Sequence, residues 1–137
     1  MVNQAKLKNR ITILRISIGI IYLWFGILKF FQGVSPAEDL ARETIHLLTF
    51  GLIAPSISIL LLAIWETVIG VVLIGGIFKK LIFWFVLVHM ICTFSPLILL
   101  PRLSFTQAPV ALTLVGQYII KNIVIISALL VVRVANK

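Results

Sequence analysis

The sequence predicts an all-α integral membrane protein: a four-helix bundle with both termini in the cytoplasm and an amphipathic helix on the outer surface. Three observations predict it. First, hydrophobic residues make up 61% of the 137 and charged residues 12%, with a mean hydropathy of +1.20. A water-soluble domain of that composition would expose apolar patches larger than such domains tolerate. Second, apolar runs recur over residues 11–31, 55–77, 81–100 and 111–134, and a bilayer core takes roughly 20 helical residues. Third, basic residues collect at alternate ends of these runs. Four spans and short connections use up the chain, so residues 1–137 are read as a single transmembrane domain.

The first run follows Lys6, Lys8 and Arg10 and ends at Lys29 without a small-residue cleavage site, so it reads as an uncleaved first span. Arg15, Gly19, Tyr22, Gly26 and Lys29 are spaced four, three, four and three, which places them on one face. That face points inward, and its glycines admit a close neighbour. Arg15 is expected to snorkel to the headgroups, and Lys29 to turn inward in the outer leaflet. Between the first two runs, Ser35-Pro36-Ala37-Glu38 reads as a helix N-cap, a first-turn proline and a capping-box glutamate. Leu40, Thr44, Leu47 and Leu48 then alternate with Asp39, Arg42, Glu43 and His46, the pattern of an amphipathic helix over residues 36–50 lying on the outer surface.

The second run presents Ala63, Glu66 and Gly70 on one stripe. The turn Phe78-Lys79-Lys80 is so short that the second and third spans must be antiparallel neighbours. The third run carries His89, Cys92 and Thr93, and Pro96, Pro101 and Pro109 after it predict a break near Ser95. On the fourth run Thr113, Gln117 and Lys121 recur every four residues, with Tyr118 and Asn122 on the adjacent face.

Lys6, Lys8, Arg10, Lys79, Lys80, Arg133 and Lys137 fall on one side of the membrane, against Arg42 and Arg102 on the other. The positive-inside rule therefore puts both termini in the cytoplasm. The same distribution disposes of nucleic acid as a partner for the net charge of +8, because the basic residues flank apolar runs instead of forming a patch. The one cysteine, Cys92, excludes a dithiol relay within the chain. With His89 and Glu66 it makes no recognisable metal spacing, so no metal site is assigned and His89 is read as a histidine hydrogen-bonded within the bundle.

A charge at the bilayer centre costs on the order of 2.5–3.5 kcal/mol on insertion scales, so such residues face the bundle interior and find partners. Glu66 and Lys121 lie near the midpoints of their helices and are expected to form an intramembrane ion pair, as a structural clasp, a functional group or both. A polar cavity is expected from Tyr22, Lys29, Glu66, His89, Gln117, Tyr118, Lys121 and Asn122. No catalytic residue follows from these spacings.

Tyr22-Leu-Trp-Phe-Gly-Ile-Leu-Lys29-Phe-Phe, Gly33-Val-Ser-Pro-Ala-Glu-Asp39, Leu62-Ala-Ile-Trp-Glu66 with Gly70, His89-Met-Ile-Cys-Thr-Phe-Ser-Pro96 and Gly116-Gln-Tyr-Ile-Ile-Lys-Asn122 together resemble the bacterial DoxX-like membrane proteins. The resemblance spans nearly the whole chain. It departs at Val115, where similar sequences carry an acidic residue, which leaves a proton role at that position without support. What the resemblance implies is a multi-pass protein of the bacterial inner membrane. Relatives include the membrane subunit of a thiosulfate:quinone oxidoreductase, and others are linked to membrane-associated redox or thiol-stress assemblies.

Three functions stay open: a membrane subunit of a redox system whose polar cavity takes a quinone or small polar solute, a small-solute or proton-coupled transporter, and an assembly scaffold without chemistry of its own. Any cofactor would be non-covalent, quinone being the candidate. The expected partners are the lipid bilayer, a soluble or membrane redox protein, and a second copy of the chain.

Overall fold

The computed structural model describes residues 4–77 and 80–135. In chain order the elements are α1 (Gln4–Leu28), α2 (Glu38–Leu48), α3 (Pro55–Gly75), α4 (Lys80–Cys92), α5 (Pro96–Leu99), α6 (Pro101–Ser104), β1 (Phe105–Gln107), β2 (Ala111–Leu112) and α7 (Leu114–Ala135). Among the described residues, four helical stretches are long and apolar enough to cross a membrane: α1, α3, α4 continued through α5 to Leu99, and α7. The shortest has 20 residues, which rise about 30 Å, one hydrocarbon thickness.

The helix α1 lies close against α3, and glycine makes it so. A Cβ on Gly70 would sit 2.5 Å from the Leu23 backbone nitrogen and 2.8 Å from the Gly19 carbonyl oxygen. On Gly26 it would lie 2.7 Å from the Thr67 nitrogen and 3.0 Å from Glu66 Cβ. No side chain fits at either place, so the two backbones touch directly, the small-residue packing that replaces hydrophobic driving force in lipid. The buried residues of α1 are Ile18, Gly19, Tyr22 and Gly26. Ile18 and Tyr22 join Ile69 and Leu73 of α3, Phe83, Val86 and Met90 of α4, and Leu129 of α7 in one core cluster. Around this core α7 packs on α1 and α4, and α2 packs on α3. The connection between α3 and α4 includes Phe78 and Lys79, which lie outside the described residues. Across that gap Trp65 reaches Phe85 edge-on, with ring centroids 5.6 Å apart.

Four expectations need correction. Arg15 does not snorkel; its guanidinium donates to the carbonyl oxygens of Leu73 and Ile74. Those carbonyls belong to the last turn of α3, where acceptors lack helical partners and a cation meets the negative end of the dipole. Gly76 closes that turn in the left-handed conformation, φ 75°, directly beside the guanidinium. The capping box at Ser35 is not made: α2 starts at Glu38, with Ala37 at the cap and no side-chain bond there. The Glu38 carboxylate instead accepts from the Gly33 N–H at 2.8 Å and pairs with Arg42 at 2.5 Å, and the buried Ser35 hydroxyl finds no partner among the described residues. The turn that precedes α2 thus takes the carboxylate that the capping box would have used.

The last two corrections concern the stretch before α7. A small antiparallel hairpin, β1 with β2, interrupts the expected all-helical architecture. It occupies Ala111 and Leu112, so α7 begins at Leu114 and not at residue 111. Thr113, expected on a polar face of the helix, acts as its cap, its hydroxyl accepting from the Gly116 N–H at 3.0 Å and donating to the Leu103 carbonyl at 2.7 Å.

Candidate functional site

Glu66 lies eleven residues into α3, about 16 Å along it at 1.5 Å per residue. Helical side chains lean toward their own N-terminus, so this carboxylate is directed toward the end of the bundle where α3 begins and α1 ends. Gly26 stands opposite its Cβ, and one turn beyond Gly26 comes Lys29. Lys29 Nζ lies 2.6 Å from Glu66 Oε2, with the two side chains 7% and 13% exposed. At that burial the pair exchanges little with solvent, and each charge depends on the other for neutralisation. Lys29 Nζ also donates to the Phe25 carbonyl at 3.4 Å.

The other carboxylate oxygen, Oε1, is 4.0 Å from His89 Nε2 on α4. On the far side of that imidazole, Nδ1 is 3.5 Å from the Tyr22 hydroxyl on α1. Lys29, Glu66, His89 and Tyr22 therefore form a continuous polar array across α1, α3 and α4. Trp65 flanks it, its ring centroid 6.4 Å from that of His89. The Trp65 indole N–H and the neighbouring Thr67 hydroxyl are buried without hydrogen-bond partners among the described residues. Neither residue was singled out from sequence as part of the site; the pattern Trp65-Glu66-Thr67 was the available signal, but only the packing shows that their polar atoms are stranded.

The expected Glu66–Lys121 pair is corrected to Glu66–Lys29. Residue count gave depth but not direction around the helix, and the glycine contacts give the Glu66 face to α1. Lys121 is exposed on the outside of α7, its Nζ 5.0 Å above the Tyr118 ring. Gln117 and Tyr118 are exposed beside it. Asn122 turns the other way and donates to the hydroxyl of Thr93, just past α4, at 2.9 Å. The eight residues expected to line one cavity thus divide: Tyr22, Lys29, Glu66 and His89 come together, Asn122 ties α7 to the turn after α4, and Gln117, Tyr118 and Lys121 face outward. Two open depressions, of about 360 and 320 Å³, lie elsewhere, between α2 and the α5–α6 segment. Their walls are built from Arg42, Glu43, His46, Leu100 and Arg102 with neighbouring apolar residues.

The sequence model of the DoxX family matches residues 10–100. The chain belongs to the DoxX family. Neither the curated proteins nor the solved structures gave a match. The DoxX match takes in α1 from residue 10 onward and the whole of α3 and α4, and so every member of the Lys29–Glu66–His89–Tyr22 array. The outward residues Gln117, Tyr118 and Lys121 lie beyond it.

Proposed function

We propose that this DoxX protein is the membrane subunit of a redox-linked system, and that the array around Glu66 receives the headgroup of a lipid-soluble quinone. The observation that carries this reading is the buried Lys29–Glu66 pair with its free carboxylate oxygen facing His89, and His89 in turn facing Tyr22. Reduction of a quinone to a quinol takes two electrons and two protons. Imidazole, carboxylate and phenol are groups able to hold or pass protons. The chain has no cysteine pair, so electrons would come from a redox partner protein. Trp65 and Tyr22 add hydrogen-bond donors suited to quinone carbonyl oxygens. A quinone would reach the array from the lipid between α3 and α4, on the side where Trp65 meets the half-exposed Phe85 ring.

The same reading places the protein in a bacterial inner membrane with both termini in the cytoplasm, following the basic residues. It puts α2 on the outer surface, where the exposed Leu47, Leu48, Phe50 and Leu52 give it apolar contacts for the headgroup boundary. Binding is tested by titrating decylubiquinone into detergent-solubilised protein whose Trp24 and Trp84 are replaced by Phe, leaving Trp65 as the fluorescent reporter. Saturable quenching that Glu66→Gln weakens is expected. Non-saturating quenching, identical in the two proteins, would leave the array a packing clasp and favour the scaffold role.

A further inference from the structure

On the lipid side of α7, Leu114, Gln117, Tyr118, Lys121 and Val124 form one stripe at helical spacing, and all five are exposed. Leu114 and Val124 are 66% and 69% exposed, so the stripe is not shielded by the rest of the bundle. Within it Lys121 has only the Tyr118 ring for company, and the Gln117 amide makes no side-chain hydrogen bond among the described residues. Lys121 lies about 10 Å along α7 from its first residue, inside the span. A charge and an amide left in hydrocarbon are costly, which is why such groups in membrane helices mark contacts with another chain.

The charges of the chain narrow what that contact is. It has four acidic residues. Glu66 is held by Lys29, and Glu38 by Arg42 and the Gly33 N–H. Asp39 and Glu43 belong to α2, the short helix outside the four spans. A second copy therefore offers no free carboxylate at the depth of Lys121, and a two-fold contact through this stripe would bring two Lys121 ammonium groups together. We infer that the Gln117–Tyr118–Lys121 face of α7 docks a transmembrane helix of a different protein that carries a carboxylate in the same leaflet. Lys121 neutralises that carboxylate, Gln117 supplies an amide hydrogen bond, and Leu114 and Val124 pack on either side. The inference is independent of what occupies the Glu66 array.

The test uses the full chain, labelled with a donor fluorophore at its C-terminus and reconstituted in phosphatidylcholine vesicles. Acceptor-labelled Leu-Ala host peptides of transmembrane length carry Glu, Gln or Leu at a position matched to Lys121. Energy transfer is expected to show the Glu peptide binding roughly tenfold more tightly than the Leu peptide. Lys121→Met should abolish the preference for Glu over Gln, and Lys121→Arg should keep it. The wild-type comparison of Glu with Gln peptides needs no variant to fold, and equal binding of those two would overturn the inference by itself. Equal transfer from all three peptides would overturn the inference. So would transfer between protein copies that the Glu peptide does not displace, which would make the face a self-association surface. A Glu preference that survives Lys121→Met in a protein of unchanged helicity would overturn it as well, and so would loss of the preference when anionic lipid is added, which would assign Lys121 to headgroups.

Discussion

Lys29 and Lys121 both qualify by depth to neutralise Glu66, and side-chain direction separates them. Glu66 leans toward the start of α3, where α1 ends and Lys29 waits one turn past the glycine that faces it. Lys121 leans toward the start of its own helix and settles over Tyr118. Unfolding in detergent should reflect this. Glu66→Gln and Lys29→Met each strand a buried charge or its partner, and each should cost about 3 kcal/mol. The double variant should cost less than the sum, with a coupling of about 1–3 kcal/mol, while Glu66→Gln combined with Lys121→Met should be additive. Additivity at Lys29 with coupling at Lys121 would reverse the assignment. Identification of Glu66 as an intramembrane charge in need of a partner was legible in the sequence, since a lone carboxylate in a long apolar run admits few other readings. Its partner was not, because periodicity fixes which residues share a face and leaves open which neighbour that face meets.

Among the elements, α1 and α3 set the geometry on which the array depends. The heptad spacing of Gly19, Tyr22, Gly26 and Lys29 was legible because glycine and polar residues stand out against an aliphatic background. The caps were not. Arg15 reads equally well as a snorkelling residue and as a cap for another helix, and only the end of α3 beside it distinguishes the two. Glu38 could serve a capping box or the Gly33 turn, and the tertiary path of the chain chose the turn. The glycine seam makes a prediction of its own. Gly70→Leu forces atoms into the Leu23 backbone and should destabilise the fold by about 3 kcal/mol or more, with α1 displaced from α3. Gly75→Ala, whose added methyl meets only Ile77 side-chain atoms among the described residues, at ordinary distance, should stay within about 0.5 kcal/mol. Comparable thermal shifts in the two variants would show that the α1–α3 pair does not depend on the glycine seam.

The whole molecule is four apolar helices around one core, with an excess of basic residues toward the end that holds Lys6, Lys8, Arg10, Lys80 and Arg133. A reporter active only outside the cytoplasm should be silent when fused after Lys137 and active when inserted near Glu43; the opposite pattern would invert the proposed orientation. At this scale hydropathy made the four long apolar helices legible, while the hairpin before α7 escaped it because its few residues carry no strand-length period. The central claim is that a ligand meets the protein at the array joining α1, α3 and α4. The decylubiquinone titration with Trp65 as reporter tests it most directly when run on paired variants. Glu66→Gln should raise the apparent Kd at least about tenfold, equivalent to about 1.4 kcal/mol, and Lys121→Met, on the outward face of α7, should leave it unchanged. An unchanged Kd in the Glu66 variant, or an equal loss in both, would contradict the account.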